Sequence, residues 1–165
     1  MMTTADVHAL LSIIRDAGVE VWIAGGWGID ALIAEQTREH RDLDLLHRSE
    51  QEPQLLAALT GAGFSETVDW RPIRFVLAHP DSGLELDLHP LAFAEDGSAE
   101  QASPDPEQPF RYPASCFVTG TVDGVTVPCI SVEQQVYFHQ GYQPSDRDLQ
   151  DMAQLRRVFG IATHF

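Results

Sequence analysis

The sequence predicts a single α+β domain, close to the α/β class, in which a mixed β-sheet is flanked by helices. Helical and strand-like segments alternate in the first part of the chain, turn-linked strands follow, and two helical segments end it. A chain of 165 residues with 44% hydrophobic residues is large enough to bury one core. We therefore expect one main domain over residues 1–130 and a short C-terminal helical extension over residues 131–165.

The first part of the chain predicts helices alternating with strands. Apolar residues at helical spacing begin near Thr4 and end at Gly18. The stretch VEVWIAGG predicts a strand that ends in a Gly-Gly turn, WGIDALIAEQ a short helix, and DLDLL a second strand. Ser49, with Glu52 three residues later, predicts the N-cap of another helix, which the glycines of TGAGF end.

The second part of the chain predicts antiparallel strands and then helices. FSETVDW, RFVLAHP and LELDLHP predict strands, and PDSG predicts a hairpin turn between the last two. Glu95–Ala114, rich in Pro, Ser and acidic residues, predicts a long loop. FVTGTVDGVTVPCI predicts a hairpin that turns at Asp123-Gly124. Ser131 and Ser145 predict the N-caps of the two final helices.

The chain is strongly acidic, with a formal net charge of −15, and all of its basic residues are Arg. This charge argues against a nucleic acid or an anionic membrane as a partner, because binding to either requires a positive surface. It suits a cationic small molecule or a metal-bound substrate, although acidity also serves solubility alone.

No apolar run is long enough to span a membrane, and the N-terminus does not resemble a signal peptide. The expected location is therefore the cytoplasm. Cys116 and Cys129 show no metal-ligand spacing, so we expect free, buried thiols.

Three aspartates lie in strands that are otherwise apolar. Asp42 and Asp44 are two residues apart in DLDLL and therefore share a face, and Asp87 lies between leucines in LELDLHP. Clustered carboxylates repel one another and require a cation. Mg²⁺ is the natural partner, because it binds carboxylate oxygens and retains positions for water or a substrate phosphate. If the two strands are neighbours, the three aspartates form a metal site.

Gly25 and Gly26 add a second element of this pattern, because they join a strand to a helix. Glycine allows the backbone to approach a phosphate closely, and a helix N-terminus favours an anion. We therefore predict that these two residues bind a triphosphate through their amides. Arg38 and Arg41 are the candidates for a side-chain contact with it, although Arg41 should face away from Asp42 on a regular strand.

The motifs AGGWGIDALIAEQTREHRDLDLL and LELDLHP resemble the nucleotidyltransferase superfamily of the DNA polymerase β type. With DGS…QASP, VPCISVEQQVYFHQGY and DRDLQDMAQL, the chain is similar to the small antibiotic O-nucleotidyltransferases, most closely those that act on lincosamides. Aminoglycoside 2″-nucleotidyltransferases look like more distant relatives. The resemblance runs from about Val21 to Leu155 and implies the nucleotidyltransferase fold, with residues 1–130 as its catalytic domain.

The resemblance also implies a reaction. ATP or another nucleoside triphosphate, with two Mg²⁺ ions, donates a nucleoside monophosphate, most simply AMP, to a hydroxyl of the drug and releases pyrophosphate. Asp42 and Asp44 would bind both ions and Asp87 the catalytic one, and these three residues are the predicted catalytic set. Two metal ions can stabilise both the attacking and the leaving oxygen of an in-line displacement. Asp87 could also accept the proton of the hydroxyl.

Further residues are candidates for binding the acceptor. His89 shares a strand face with Asp87, so it could orient that carboxylate or contact the acceptor. His139 and Tyr142 match the family pattern in the C-terminal part. Asp148 and Asp151 match it too, and they share a helix face that could receive a protonated amine or could simply be solvated. The C-terminal helices, the predicted loop or a second subunit, as in a homodimer, would complete the acceptor site.

Two alternatives to lincosamide adenylylation remain open. The same chemistry could act on an aminoglycoside, or on a protein, as it does in toxin-associated minimal nucleotidyltransferases. The chain could also be a nucleotide- or metal-binding module without turnover, although the presence of all three aspartates argues against lost catalysis.

Overall fold

The computed structural model describes residues 1–165 and contains five α-helices and nine strands. The helices are α1 (Thr4–Asp16), α2 (Gly25–Ile33), α3 (Glu52–Gly61), α4 (Val132–Phe138) and α5 (Asp146–Phe159). The strands are β1 (Val21–Ala24), β2 (Asp42–Arg48), β3 (Ser65–Trp70), β4 (Arg74–Ala78), β5 (Glu85–Phe93), β6 (Ala99–Gln101), β7 (Phe110–Tyr112), β8 (Phe117–Val122) and β9 (Val125–Ile130). No helix has both the length and the apolarity to cross a bilayer.

All nine strands belong to one mixed sheet, as the sequence predicts. Its main path runs β3-β4-β5-β2-β1-β9-β8, with β6 and β7 attached at β5. Strands β2 and β5 are parallel, as are β1 and β9, and the other pairs are antiparallel. The predicted turns at PDSG and Asp123-Gly124 join β4 to β5 and β8 to β9, and both residues of the second turn have positive φ.

The main core lies on the sheet face that α1 and α3 cover. Alternation along the strands directs Leu43 and Leu45 of β2 into this core together with Leu86 and Leu88 of β5. A smaller apolar cluster around Trp22 and its aromatic neighbours lies on the other face. That second face also carries the alternate residues of β2 and β5, and it contains the candidate site. Both cysteines are free and buried, as predicted.

The C-terminal helices begin at the predicted caps. The hydroxyls of Ser131 and Ser145 accept hydrogen bonds from the third backbone N–H of α4 and α5, respectively. Val136 of α4 and Met152 of α5 pack with Ile29 of α2 in a third apolar cluster. This cluster holds the C-terminal helices against α2, whose first two residues are Gly25 and Gly26.

Two predictions about local structure were wrong. Ser49 does not cap α3, because residues 49–51 form a 3-10 turn and Gln51 precedes the helix, which has Pro in its first turn. The segment Glu95–Ala114 is not a structureless loop, because it contains the β6–β7 hairpin, which pairs with the end of β5. Backbone pairing with β5 orders this hairpin, and its short strands leave little alternation to detect.

His47 gives the fold a pH dependence. Its side chain is fully buried in β2, near Glu52 and the edge of Phe75. Burial lowers the pKa of His47. On acidification, His47 therefore binds a proton at a higher pH in the unfolded chain than in the folded one. The contribution of His47 to the free energy of unfolding should therefore fall as the pH drops below about 6.5.

We expect His47→Leu to remove part of this pH dependence, measured by chemical denaturation at pH 7.5 and 5.5. His164→Gln, at an exposed site, is the control and should behave like the wild type. An unchanged difference between the two pH values in His47→Leu would show that another group is responsible.

Candidate active site

Three aspartates lie on the same face of the sheet, opposite α1 and α3. In the parallel pair β2–β5, Asp44 is directly beside Asp87, and Asp42 is beside Glu85. The alternate positions, including Leu43 and Leu45, are fully buried in the main core. The strand pattern thus directs the carboxylates of Asp42, Asp44 and Asp87 toward the same side.

This arrangement disfavours ionisation of the carboxyl groups. Loss of hydration is the largest cause that raises the pKa of Asp42, and the neighbouring Asp44 raises it further. The pKa of Asp87 is also raised, first by burial, with Asp44 adding to the effect against the opposing influence of His89 and Arg74. A cation placed between these groups would reverse the balance and favour the charged forms.

The donor atoms fit a hard divalent cation. Oδ1 of Asp87 is buried and has no hydrogen-bond partner, which is unusual for a native carboxylate and leaves a lone pair available. Donor atoms of Asp44, Asp87 and His89 all lie within 4.8 Å of one another. Carboxylate oxygens are the ligands that Mg²⁺ prefers, so the aspartates could hold it.

Arg74 is a site residue that the sequence analysis missed. It lies at the start of β4, its guanidinium contacts Oδ2 of Asp87, and it lies 4.6 Å from the ring centroid of the exposed Trp70. In this structure it forms an ion pair with Asp87. The predicted hairpin could have revealed this position of Arg74, because antiparallel pairing through the PDSG turn brings the start of RFVLAHP beside Asp87 and His89.

Gly25 shapes the opposite edge of the site. Its φ is +58°, and a Cβ at this position would lie 2.1 Å from Oδ2 of Asp44, so only glycine fits. At Gly26, a Cβ would lie 2.5 Å from both the Arg38 guanidinium and the His40 ring. The two glycines therefore allow the start of α2 to lie against the carboxylate on one side and Arg38 on the other.

We expect Gly25→Ala to impair the site more than the fold. The new methyl group must displace Asp44, and the residue would be strained at positive φ, at a cost of about 1–3 kcal/mol. Affinity for Mn²⁺, used as a spectroscopic substitute for Mg²⁺, should fall at least tenfold. Gly61→Ala is the matched control, because a Cβ there meets nothing within 4 Å. Equal Mn²⁺ affinity in Gly25→Ala and wild type would contradict this prediction.

The two candidate arginines have different surroundings. Arg38 lies near Gly26, but its guanidinium donates two hydrogen bonds of 2.8 Å to Asp151 and a third to His40. Because these partners occupy its guanidinium, Arg38 could contact a triphosphate only by giving up one of these hydrogen bonds. Arg41 is exposed and lies beside residues 83–85, apart from the cavity next to Asp44.

A cavity of about 290 Å³ adjoins Asp44 and Gly25. Most of its wall is apolar, and its polar residues include His89 and His139, two of the predicted acceptor residues. Its apolar lining includes Ile73, Phe110, Tyr112 and Phe138. A larger hollow of about 510 Å³ lies between α1 and β9 and contains none of the predicted site residues.

The other predicted acceptor residues are divided between two environments. Asp148 caps α5 through Ser145 and lies 3.7 Å from His139. Tyr142 is near Asp148, and burial together with that carboxylate raises the pKa of Tyr142 to about 12. Asp151 is only 3% exposed, and Arg38 neutralises its charge. The expected acidic helix face is therefore split, with Asp148 near the cavity wall and Asp151 inside an ion pair.

Comparison with known proteins gives consistent matches over almost the whole chain. The family model for aminoglycoside-2″-adenylyltransferases matches residues 6–155. A lincosamide resistance protein from Staphylococcus haemolyticus is 32% identical over 157 residues, which cover 95% of this chain and 96% of that protein.

Two solved structures share the fold. The lincomycin-bound crystal structure of the lincosamide antibiotic adenylyltransferase LnuA matches with a TM-score of 0.86 and 31% identity, over 95% of this chain and 98% of that one. The crystal structure of ANT(2″)-Ia in complex with adenylyl-2″-tobramycin matches with a TM-score of 0.71 and 21% identity, over 93% of this chain and 87% of that one.

Proposed function

This chain belongs to the aminoglycoside-2″-adenylyltransferase family, and from that premise we propose that it transfers AMP from ATP to a hydroxyl of a lincosamide-type antibiotic. It has the predicted nucleotidyltransferase fold, and it is an adenylyltransferase. The nucleotide, the metal requirement, the release of pyrophosphate, the drug and a cytoplasmic setting are parts of the proposal.

One observation carries the proposal, namely the alignment of Asp44 with Asp87 on adjacent parallel strands beside Gly25. It combines a cation site with a glycine turn at which a phosphate can approach. Asp42 and Asp44 would hold two Mg²⁺ ions, and Asp87 would hold one of them. When bound, these ions supply positive charge that offsets the triphosphate and the oxygens of the attacking and leaving groups.

The protein groups account for the remaining chemistry. The acceptor oxygen forms a bond to the α-phosphorus of the nucleotide, the bond from that phosphorus to the bridging oxygen breaks, and pyrophosphate leaves. Asp87 would also accept the hydroxyl proton. The backbone amides at Gly25 and Gly26 would bind phosphate oxygens, and Arg38 would stabilise this turn from its other side.

The cavity beside Asp44 favours a lincosamide over an aminoglycoside. A lincosamide joins an alkylated amino acid to one amino-sugar, whereas an aminoglycoside carries several ammonium groups. The cavity is mainly apolar and therefore suits the alkyl part of the first class better than a polycation. Asp148, beside His139 and Tyr142, offers one carboxylate for a single amine.

We further propose that residues 131–165 act as an acceptor-binding extension of the catalytic domain at residues 1–130. Phe138 and His139 at the end of α4 line the cavity, and α5 carries Asp148. This assigns drug recognition to the C-terminal helices and catalysis to the sheet.

The decisive experiment is mass spectrometry of products after incubation with Mg²⁺, each of four nucleoside triphosphates, and lincomycin, clindamycin or tobramycin. We expect a product with the mass of lincomycin that carries one AMP group. One pyrophosphate should be released per product, and no product should form when EDTA is present. Asp44→Asn is the control for contaminating activity. Intact drugs in every reaction, with wild-type protein shown to be folded, would overturn the proposal.

The second candidate is the same transfer to an aminoglycoside, favoured by the family model that matches residues 6–155. In this case the tobramycin reaction alone would yield an adenylylated product. The same panel therefore decides between the two acceptors.

A further inference from the structure

His89 occupies a position from which it could either bind a cation or hold its carboxylate ligands. It lies two residues after Asp87 on β5, and its Nε2 is 3.3 Å from Oδ1 of Asp44 and 3.6 Å from Oδ1 of Asp87. Distance alone does not separate these roles, because a histidine nitrogen and two carboxylate oxygens this close could share an ion.

The other ring nitrogen decides between them. Nδ1 of His89 lies 3.1 Å from the side-chain nitrogen of Gln101, and this same nitrogen lies 3.0 Å from the backbone carbonyl oxygen of Ile73. A carbonyl can only accept a hydrogen bond, so the Gln101 atom that faces Ile73 must be the amide nitrogen. Gln101 therefore donates to Nδ1 of His89, and Nδ1 accepts.

Tyr112 fixes the Gln101 amide from its other end. The buried Tyr112 hydroxyl donates a 2.7 Å hydrogen bond to the side-chain oxygen of Gln101. Burial raises the pKa of Tyr112, so this hydroxyl retains its proton. Because both ends of the amide have partners of the required type, the amide cannot rotate to present its oxygen to His89.

We propose that His89 is a positioning residue for the metal carboxylates rather than a metal ligand: its Nε2 carries a proton and donates a hydrogen bond to Oδ1 of Asp44. In the neutral ring only one nitrogen is protonated, and Gln101 requires that it be Nε2. A protonated nitrogen has no lone pair for an ion. The ligand set is then made of carboxylates, as Mg²⁺ prefers, and this step rests on the proposed function.

The proposed role explains how Asp44 keeps its orientation beside Asp87. Oδ2 of Asp44 lies against Gly25, and Oδ1 accepts a hydrogen bond from Nε2 of His89, so both oxygens are fixed. Without this donor, repulsion from Asp87 would turn the Asp44 side chain away. Outer-shell partners of this kind typically change metal affinity or activity about 10–100-fold.

NMR of the ¹⁵N-labelled protein tests the tautomer directly, and independently of turnover. At a pH at which the ring is neutral, we expect His89 to show a protonated Nε2 and an unprotonated Nδ1, both before and after addition of Mg²⁺. Gln101→Leu should yield a mixture of the two tautomers. A protonated Nδ1 in the wild type, or loss of the Nε2 proton on addition of Mg²⁺, would overturn the proposal.

Mn²⁺ binding, followed by electron paramagnetic resonance with a non-hydrolysable ATP analogue present, tests the effect on the site. We expect His89→Leu to weaken Mn²⁺ binding about 10–100-fold. His89→Gln, which can retain an N–H donor near the position of Nε2, should recover most of the affinity. If His89→Gln and His89→Leu were equally impaired, or if neither were, the donor role would be refuted.

Gln134→Leu is the matched control for Gln101→Leu. Gln134 is also buried and donates to a backbone carbonyl, that of Arg111, but it does not contact His89. It should leave the His89 tautomer and Mn²⁺ affinity unchanged. If no acceptor proved to be adenylylated, the proposed function would fail, whereas the tautomer and Mn²⁺ results would still decide the role of His89.

Discussion

Replacing Asp44 by Asn is expected to lower the rate of nucleotidyl transfer about 1,000-fold or more while the fold remains intact. Asp44 is central in the carboxylate cluster, beside Asp87 and two residues from Asp42. Loss of its charge removes a ligand shared by both proposed ions, and metal ions contribute several kcal/mol of charge stabilisation. About 4 kcal/mol corresponds to a thousandfold change in rate.

This prediction requires evidence that the variant is folded. Asn is close in shape to Asp, and it relieves repulsion, so the melting temperature of the metal-free variant should equal or exceed that of the wild type. Mn²⁺ titration should show lost binding. Glu100→Gln, in an exposed ion pair with Arg111, is a matched acid-to-amide control and should retain full turnover. Turnover by Asp44→Asn within tenfold of the wild type would contradict the proposed metal site.

The carboxylate geometry was accessible from the sequence because it depends on local rules. Side chains alternate along a strand, so Asp42 and Asp44 had to share a face. The apolar neighbours of Asp87 predicted a buried strand, and only the adjacency of β2 and β5 had to be assumed. The structure supplies that adjacency, with Asp44 and Asp87 in direct register. The position of Arg74 was equally derivable, since the predicted hairpin determined its register with β5.

The remaining site contacts depend on tertiary packing that no local pattern records. Arg38 and Asp151 are 113 residues apart in sequence, and nothing in either motif indicates that they meet. Gln101 reaches His89 only because the segment expected to be a loop forms a hairpin against β5. Sequence reasoning therefore predicted the cluster of carboxylates but not the groups that orient them.

The second large effect concerns stability and centres on Asp151. This carboxylate is buried on α5 and accepts two hydrogen bonds of 2.8 Å from Arg38. Arg38 also donates to Nδ1 of His40, so Nε2 of His40 must carry the proton that is shared with Asp30 at 2.5 Å. Thr37 donates to the other oxygen of Asp30 through its backbone and its hydroxyl. The network joins α2, the segment before β2 and α5.

We expect Asp151→Ala to lower the free energy of unfolding by about 3–5 kcal/mol, because it leaves the largely buried Arg38 charge without its carboxylate partner. Glu20→Ala is the matched control, since Glu20 pairs with Arg48 at the surface and should contribute about 1 kcal/mol or less. Urea denaturation at neutral pH measures both values. Equal losses in the two variants would show that the Arg38–Asp151 pair is no more important than a surface ion pair.

The double variant Arg38→Met with Asp151→Leu separates the value of the ion pair from the damage of breaking it. Replacing both charges by apolar groups removes the unpaired charge, so stability should recover beyond that of Asp151→Ala. Activity of the double variant should remain below that of the wild type, because the Arg38 guanidinium lies against Gly26, where the triphosphate is proposed to bind. A stable but impaired double variant would mean that the ion pair is retained to place Arg38 at the glycine turn rather than to hold α5. A fully active double variant would assign the pair to folding alone.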